Sequence, residues 1–272
     1  MPELPEVETT LRGVAPSLLG RRIAALHLRQ PALRWPVPPT LTALLPGQRI
    51  HGARRRGKYL LFALDAGHLL MHLGMSGSLR VIPADQAPGP HDHFDLLLDD
   101  GAALRFTDPR RFGALLWVAG DVEQHPLLCR LGPEPLEDDA FDAEYLHRRA
   151  HGRTAPVKSF LMDSRVVVGI GNIYANEILH HSGVHPLRAA GRIGLGRYQV
   201  VVAATKEVLA GAVAQGGTTL RDFVGGDGKP GYFRQQLRAY GRGGEPCRDC
   251  AAPLREVRLA QRTTVYCPRC QR

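Results

Sequence analysis

Apolar residues recur at helical spacing at the start of the chain: Val7, Leu11, Val14 and Leu18, followed by Gly20. This pattern predicts a helix with one buried stripe. Pro5 falls in its first turn, where a missing N–H costs nothing, and Gly20 ends it. Pro16 is expected to kink or weaken the last turn, and Pro2 and Glu3 are left protruding just before the helix. From about residue 22 to 118 the pattern shortens to RRGKYLLFALD, HLLMHLGMSGSLRVI, FDLLLDDG and AALRFTDPRRFGALLWV, bounded by Gly, Asp and Pro. These runs read as strands, with the DDG as a hairpin turn. They predict a β-sandwich or flattened barrel with one or two helices against it. LGPEPLEDDAFDAEYL reads as a connector, and helical patterns follow over Phe141–Ala150, Pro156–Asp163, Asn172–His181 and Gly196–Gln215. A glycine-rich stretch from Gly216 to Gly231 then leads into a cysteine-bearing tail.

Composition narrows the class. A chain of 272 residues with 44% hydrophobic content is long enough for two domains or one large one with a proper core. No apolar run approaches the roughly 20 residues needed to cross a bilayer. The N-terminus carries no export pattern, so a cytoplasmic location is expected. Formal charge is +9, and the excess is concentrated at one end: from Lys229 to Arg272 there are ten Lys/Arg against three Asp/Glu. A concentrated basic region favours a polyanion, because neutralised phosphates release counterions.

Five cysteines without an export signal do not read as a disulfide framework. Cys129 stands alone and reads as a small buried hydrophobe. The others are spaced Cys247-x2-Cys250, sixteen residues, Cys267-x2-Cys270, which matches a four-cysteine zinc ribbon. With thiolates at all four positions, one structural zinc is expected. It would hold a short hairpin, LREVRLA then RTTVYC, whose own core is too small to fold alone. VVVGIGNIYANE offers Gly169-x-Gly171 before a helix, but Tyr174 occupies the third glycine position and no βαβ unit surrounds it. A dinucleotide fold is therefore rejected. The helix N-terminus still attracts anions, and in a basic chain Asn172 becomes a candidate donor to a DNA phosphate.

Together these segments resemble the bacterial formamidopyrimidine-DNA glycosylases. The resemblance rests on MPELPEVET, RRGKYLL, HLGMSGSLR, TDPRRFG, LMDSRVVVGIGNIYANEIL, QGGTTLRDF, DGKPGYF and AQRTTVYCPRC, in order and across the chain. It implies an α+β protein: a β-sandwich domain over 1–132, a helix–two-turn–helix domain over 133–236 and a zinc finger over 237–272. It also implies excision of 8-oxoguanine and formamidopyrimidines from duplex DNA, then strand cleavage by β,δ-elimination. The site residues follow position by position. Once Met1 is removed, Pro2 supplies a secondary amine that attacks C1′ of the deoxyribose. Glu3 resembles the family's acid and Lys58 its second proton donor, although without the resemblance Lys58 reads as a surface charge on a basic strand. Arg262 resembles the finger arginine assigned to δ-elimination, and a guanidinium that holds its proton is better suited to clamp phosphate.

Met75, Arg110 and Phe112 resemble the residues that fill the hole left by a flipped base. His91, Arg110 and Arg153 match DNA-contacting positions. Thr218 to Tyr232, with Thr219, resembles a lid over the flipped base. Glu6 and Glu8 read as first-turn charges favoured near a helix N-terminus. The alternatives are an endonuclease VIII-type enzyme for oxidised pyrimidines and a non-catalytic lesion-binding ribbon protein. Leu4, the setting of Lys58 and the long lid favour the purine branch. No nucleotide cofactor is indicated, and nothing compels more than a monomer.

Overall fold

The computed structural model describes residues 2–218 and 236–272, so Thr219 and Tyr232 of the expected lid lie outside the described residues. The chain divides into two compact units. One is Met1–Cys129 together with the described residues from Gln215 to Thr218; the other is Arg130–Ala214 together with residues 236–272.

In the first unit, α1 (Leu4–Leu18) buries the expected stripe of Val7, Leu11, Val14 and Leu18. It runs through Pro16, and the Leu19 N–H still donates to the Ala15 carbonyl at 3.0 Å. Near a helix end proline removes a single donor, while Val14 and Leu18, both fully buried, hold the turn against the core. Then come β1 (Ile23–Leu28), the short α2 (Leu41–Leu44), β2 (Ile50–Arg56), β3 (Tyr59–Leu64), β4 (Gly67–His72), β5 (Ser78–Pro83), β6 (Asp92–Leu98), β7 (Ala102–Thr107) and β8 (Ala114–Val118). They form two antiparallel four-stranded sheets, ordered β1-β6-β7-β5 and β2-β3-β4-β8. Phe62, Leu69, Met71, Leu79, Phe94 and Phe106 are among the residues of their shared core. The DDG expected to turn a hairpin joins β6 to β7. One buried charge cluster interrupts the apolar interior: Arg105 grips both oxygens of Asp95 at 2.8 Å, and Arg29 adds a second cation.

Two segments cross from sheet to sheet: residues 73–77 between β4 and β5, and residues 108–113 between β7 and β8. His72 pairs with Ala114 and Ser78 with Thr107, so the two crossings begin and end on neighbouring strands and run side by side.

In the second unit, α3 (Ala143–Ala150) is capped by Asp142, whose carboxylate accepts the Tyr145 N–H at 2.6 Å. It is followed by α4 (Val157–Leu161), α5 (Asn172–His181), α6 (Leu195–Ala214) and the hairpin β9 (Arg255–Leu259) and β10 (Arg262–Tyr266). Every residue of α5 from Ile173 to His180 is buried, because α4, α6 and β10 all pack on it. Its polar side chains point at neighbouring backbone: Glu177 accepts the N–H groups of Arg238, Ala239 and Tyr240 at 2.7–2.9 Å.

Two expectations are corrected. Pro2 and Glu3 do not protrude: both are buried, Glu3 to 1% exposure. Cys129 is exposed, because the preceding Leu128 takes the inward position at the end of that turn. Glu6 is the first-turn acid expected of it, and it is buried.

Candidate active site and metal centre

In the first unit the site begins at the helix start. Glu3 is the N-cap of α1, and its N–H donates to Glu6 Oε2 at 2.8 Å. The other oxygen of Glu6 accepts the Thr218 N–H at 2.8 Å. One carboxylate thus ties the N-terminal residues to the start of the expected lid. Gly217 permits this approach: its φ is +81°, and a Cβ there would come within 3.1 Å of Glu6 Oε1. The Glu3-x-x-Glu6 spacing is that of a capping box, a signal present in the sequence and read there only as helix-end charge. Glu8 faces elsewhere, pairing with Arg55 at 2.9 Å and Arg12 at 2.8 Å.

Lys58 occupies the two-residue turn Gly57–Lys58 between β2 and β3, not a strand, and is half-buried. Gly57 supplies the positive φ, +58°, that such a turn needs. Close to Lys58 is His72 at the end of β4, its ring tilted at 52° to that of Tyr59 with centroids 4.9 Å apart. Burial, reinforced by the Lys58 and Arg34 cations, pushes His72 down to about 4. The ring is therefore neutral near pH 7, and its Nδ1 accepts the Gly74 N–H at 2.9 Å.

The two crossings carry the residues expected to fill a vacated base position. Met75 and Phe112 are each 41% exposed. Arg110 places its guanidinium 5.0 Å above the Phe112 ring. The crossings mesh at Gly74 (φ +66°), where a Cβ would come within 2.4 Å of the Phe112 backbone. His91 is exposed beside the second crossing, and its carbonyl accepts the Asp108 N–H at 2.9 Å.

In the second unit, Asn172 opens α5, and its buried Oδ1 has no partner among the described residues. Arg153 is exposed and lies over the Phe160 ring at 5.9 Å. Arg262 is exposed at the first position of β10, just past the turn at Ala260 and Gln261, both in the left-handed region (φ +47° and +61°). A buried lysine that sequence reasoning missed, Lys158 on α4, donates to the Thr263 carbonyl at 2.9 Å and to Thr264 Oγ1 at 2.8 Å. Asn176 of α5 accepts the Val265 N–H at 2.8 Å. The hairpin is thereby fastened to the helices, and Arg262 is held at a fixed place on this unit.

The sulfurs of Cys247, Cys250, Cys267 and Cys270 all lie within 4.8 Å of one another, with measured pairs at 3.4 and 4.0 Å. A tetrahedral zinc with bonds of about 2.3 Å separates its sulfurs by about 3.8 Å, so the four thiolates fit the ion. The Cys270 N–H points at Cys267 Sγ at 3.3 Å, and His180 Nε2 lies 3.5 Å from Cys247 Sγ. A backbone N–H aimed at a sulfur, as from Cys270 to Cys267, stabilises the thiolate form that zinc requires. This is a structural zinc site.

Comparison with known proteins agrees. Residues 1–115 match the formamidopyrimidine-DNA glycosylase N-terminal domain, 131–224 its H2TH domain, and 244–272 the zinc finger found in FPG and IleRS. The chain is 59% identical to the formamidopyrimidine-DNA glycosylase of Alkalilimnicola ehrlichii, covering both chains completely. Among solved structures, it is similar to the MutM (Fpg) protein of Thermus thermophilus, with 42% identity, TM-score 0.88, 99% of this chain and 98% of that one. It is also similar to a glycine-to-proline mutant of Lactococcus lactis FPG in complex with Fapy-dG-containing DNA, with 30% identity, TM-score 0.92 and full coverage of both. An N-terminal β-sandwich, a helical H2TH unit and a four-cysteine finger define a class of DNA-processing protein. Within that class, the chain belongs to the formamidopyrimidine-DNA glycosylase family.

Proposed function

We propose that this chain, a DNA glycosylase acting on oxidised purine lesions in base excision repair, uses Pro2 as its nucleophile. The observation that carries the assignment is the fixed helix start, in which Glu6 holds the Glu3 backbone beside Pro2. After Met1 leaves, the Pro2 nitrogen is a secondary amine. An α-amino group has a pKa near 8, against about 10.4 for lysine, so more of it is unprotonated at neutral pH. The amine attacks C1′ and the N-glycosidic bond breaks, the electron pair leaving with the base. Glu3 assists sugar ring opening and proton transfer. The resulting iminium acidifies C2′. Loss of that proton expels the 3′ phosphate and a second elimination expels the 5′ phosphate, with Lys58 moving protons. Met75, Arg110 and Phe112 occupy the space of the flipped nucleotide. His91, Arg153, Asn172 and Arg262 hold backbone phosphates, and Thr218, Thr219 and Tyr232 belong to the cover over the extruded base. The working place is the bacterial cytoplasm, at the nucleoid. The 1–132, 133–236 and 237–272 segments act as catalytic, DNA-binding and zinc-finger domains.

Borohydride trapping tests the nucleophile. Zinc-loaded protein, shown by intact mass to lack Met1, should form a covalent adduct with an 8-oxoguanine:C duplex. Pro2→Gly should lose it, and an adduct retained at wild-type yield would remove Pro2 from the role. Thymine-glycol duplexes should be cleaved more slowly than 8-oxoguanine:C; the reverse order would favour the pyrimidine branch.

A further inference from the structure

Asp108 opens the second crossing and is fully buried, yet no step above uses it. Its hydrogen bonds reach both crossings. Oδ1 accepts the hydroxyl of Ser76 at 2.7 Å, on the segment that carries Met75. The same oxygen accepts the Arg110 N–H at 3.2 Å, and Oδ2 accepts the Gly113 N–H at 2.8 Å, bracketing Arg110 to Phe112. The Asp108 carbonyl accepts from the Arg111 N–H at 3.2 Å and from His93 Nε2 at 2.6 Å. Since a carbonyl only accepts, His93 must carry its proton on Nε2. The carboxylate is therefore held from behind while its two oxygens gather donors from two separate segments.

We infer that Asp108 is a positioning residue that fixes the Met75 segment and the Arg110–Phe112 segment in one arrangement, so that they enter the DNA as a single wedge. The topology requires such a tie. Strand pairing aligns the crossings only at their ends, and the exposed tips have no ladder of their own. The carboxylate accepts all three donors at its two oxygens, whereas an amide keeps one accepting oxygen and would turn an NH2 group towards either the Gly113 N–H or the Ser76 and Arg110 donors. Buried donors left without an acceptor would push the tips apart. The inference rests on the reading of Met75, Arg110 and Phe112 as void-fillers.

The test is Asp108→Asn, with Ser76→Ala as the milder variant that removes one tie and keeps the carboxylate. Two reactions are compared in zinc-loaded protein: single-turnover excision of 8-oxoguanine from a duplex, which needs a base flipped and a hole filled, and strand cleavage at an abasic site in single-stranded DNA, which needs neither. Asp108→Asn should slow duplex excision roughly tenfold or more, as expected for losing one or two buried hydrogen bonds. It should also compress the difference between 8-oxoguanine:C and 8-oxoguanine:A, and leave the single-strand reaction at the wild-type rate. Ser76→Ala should act in the same direction but less strongly, and it decides the matter if Asp108→Asn does not fold. Wild-type duplex rates in both variants, or equal losses on both substrates, overturn the inference. Met75→Ala and Phe112→Ala serve as controls: if neither slows duplex excision, the void-filling reading fails instead.

Discussion

His72 shows how a single side chain links the fold to acidity. Burial and the Lys58 and Arg34 cations hold it near 4, while an unfolded histidine titrates near 6.5. Between these values the unfolded chain binds a proton that the folded chain refuses, so stability is complete above about pH 6.5 and is lost as pH falls towards 4. The loss amounts to on the order of 3 kcal/mol. His72→Asn should flatten that part of the acid limb in urea titrations at stepped pH; an unchanged limb would place the cause elsewhere. Asp95 is a second case. Burial alone would raise its carboxyl, but hydrogen bonds and charge from Arg105 and Arg29 outweigh it and hold the group below the usual range. Asp95→Asn takes the closest carboxylate from the buried Arg105 guanidinium, which keeps Asp92 at 3.4 Å and the carbonyls of Gln86 and Ala87, and should destabilise the protein by up to about 3 kcal/mol, read as a lower urea midpoint at neutral pH.

At the scale of the element, the finger hairpin carries strain in its turn. Ala260 and Gln261 both have positive φ, the signature of a tight turn usually served by Asn-Gly. Replacing them, Ala260→Asn with Gln261→Gly, should stabilise the hairpin by about 1 kcal/mol, seen as slower amide exchange in Arg255–Tyr266. The same hairpin explains why Lys158 was not legible beforehand. In the sequence it is one charge in a short helical pattern, and its partners at Thr263 and Thr264 are more than a hundred residues away. The short runs of the sandwich were legible because alternation and turn chemistry act locally. The broken run HLLMHLGMSGSLRVI was harder, because the crossing at 73–77 sends its two halves to different sheets.

At the scale of the whole molecule, the chain divides into two compact units, and its positive charge is concentrated towards its end. The finger has only a small cluster of its own around Ala239, Leu254 and Val265, so the metal must supply much of its stability. Chelation should therefore expose the amides of β9 and β10 to exchange while those of the β-sandwich stay protected, and DNA affinity should fall with the finger. Loss of protection throughout the chain would contradict this separation of cores.

The sequence by itself determined the family, the change from a strand-rich first part to a helical second part and the four clustered cysteines, because each depends on spacing or on residues adjacent in the chain. Tertiary structure alone decided that Pro2, Glu3 and Glu6 are buried and that Glu6 reaches Thr218. It also decided that α5 is covered on every side and that Asp108 serves two crossings at once. These are contacts between segments far apart in the chain. Periodicity reports which face of an element is apolar, but only the folded chain shows what is packed against the polar one.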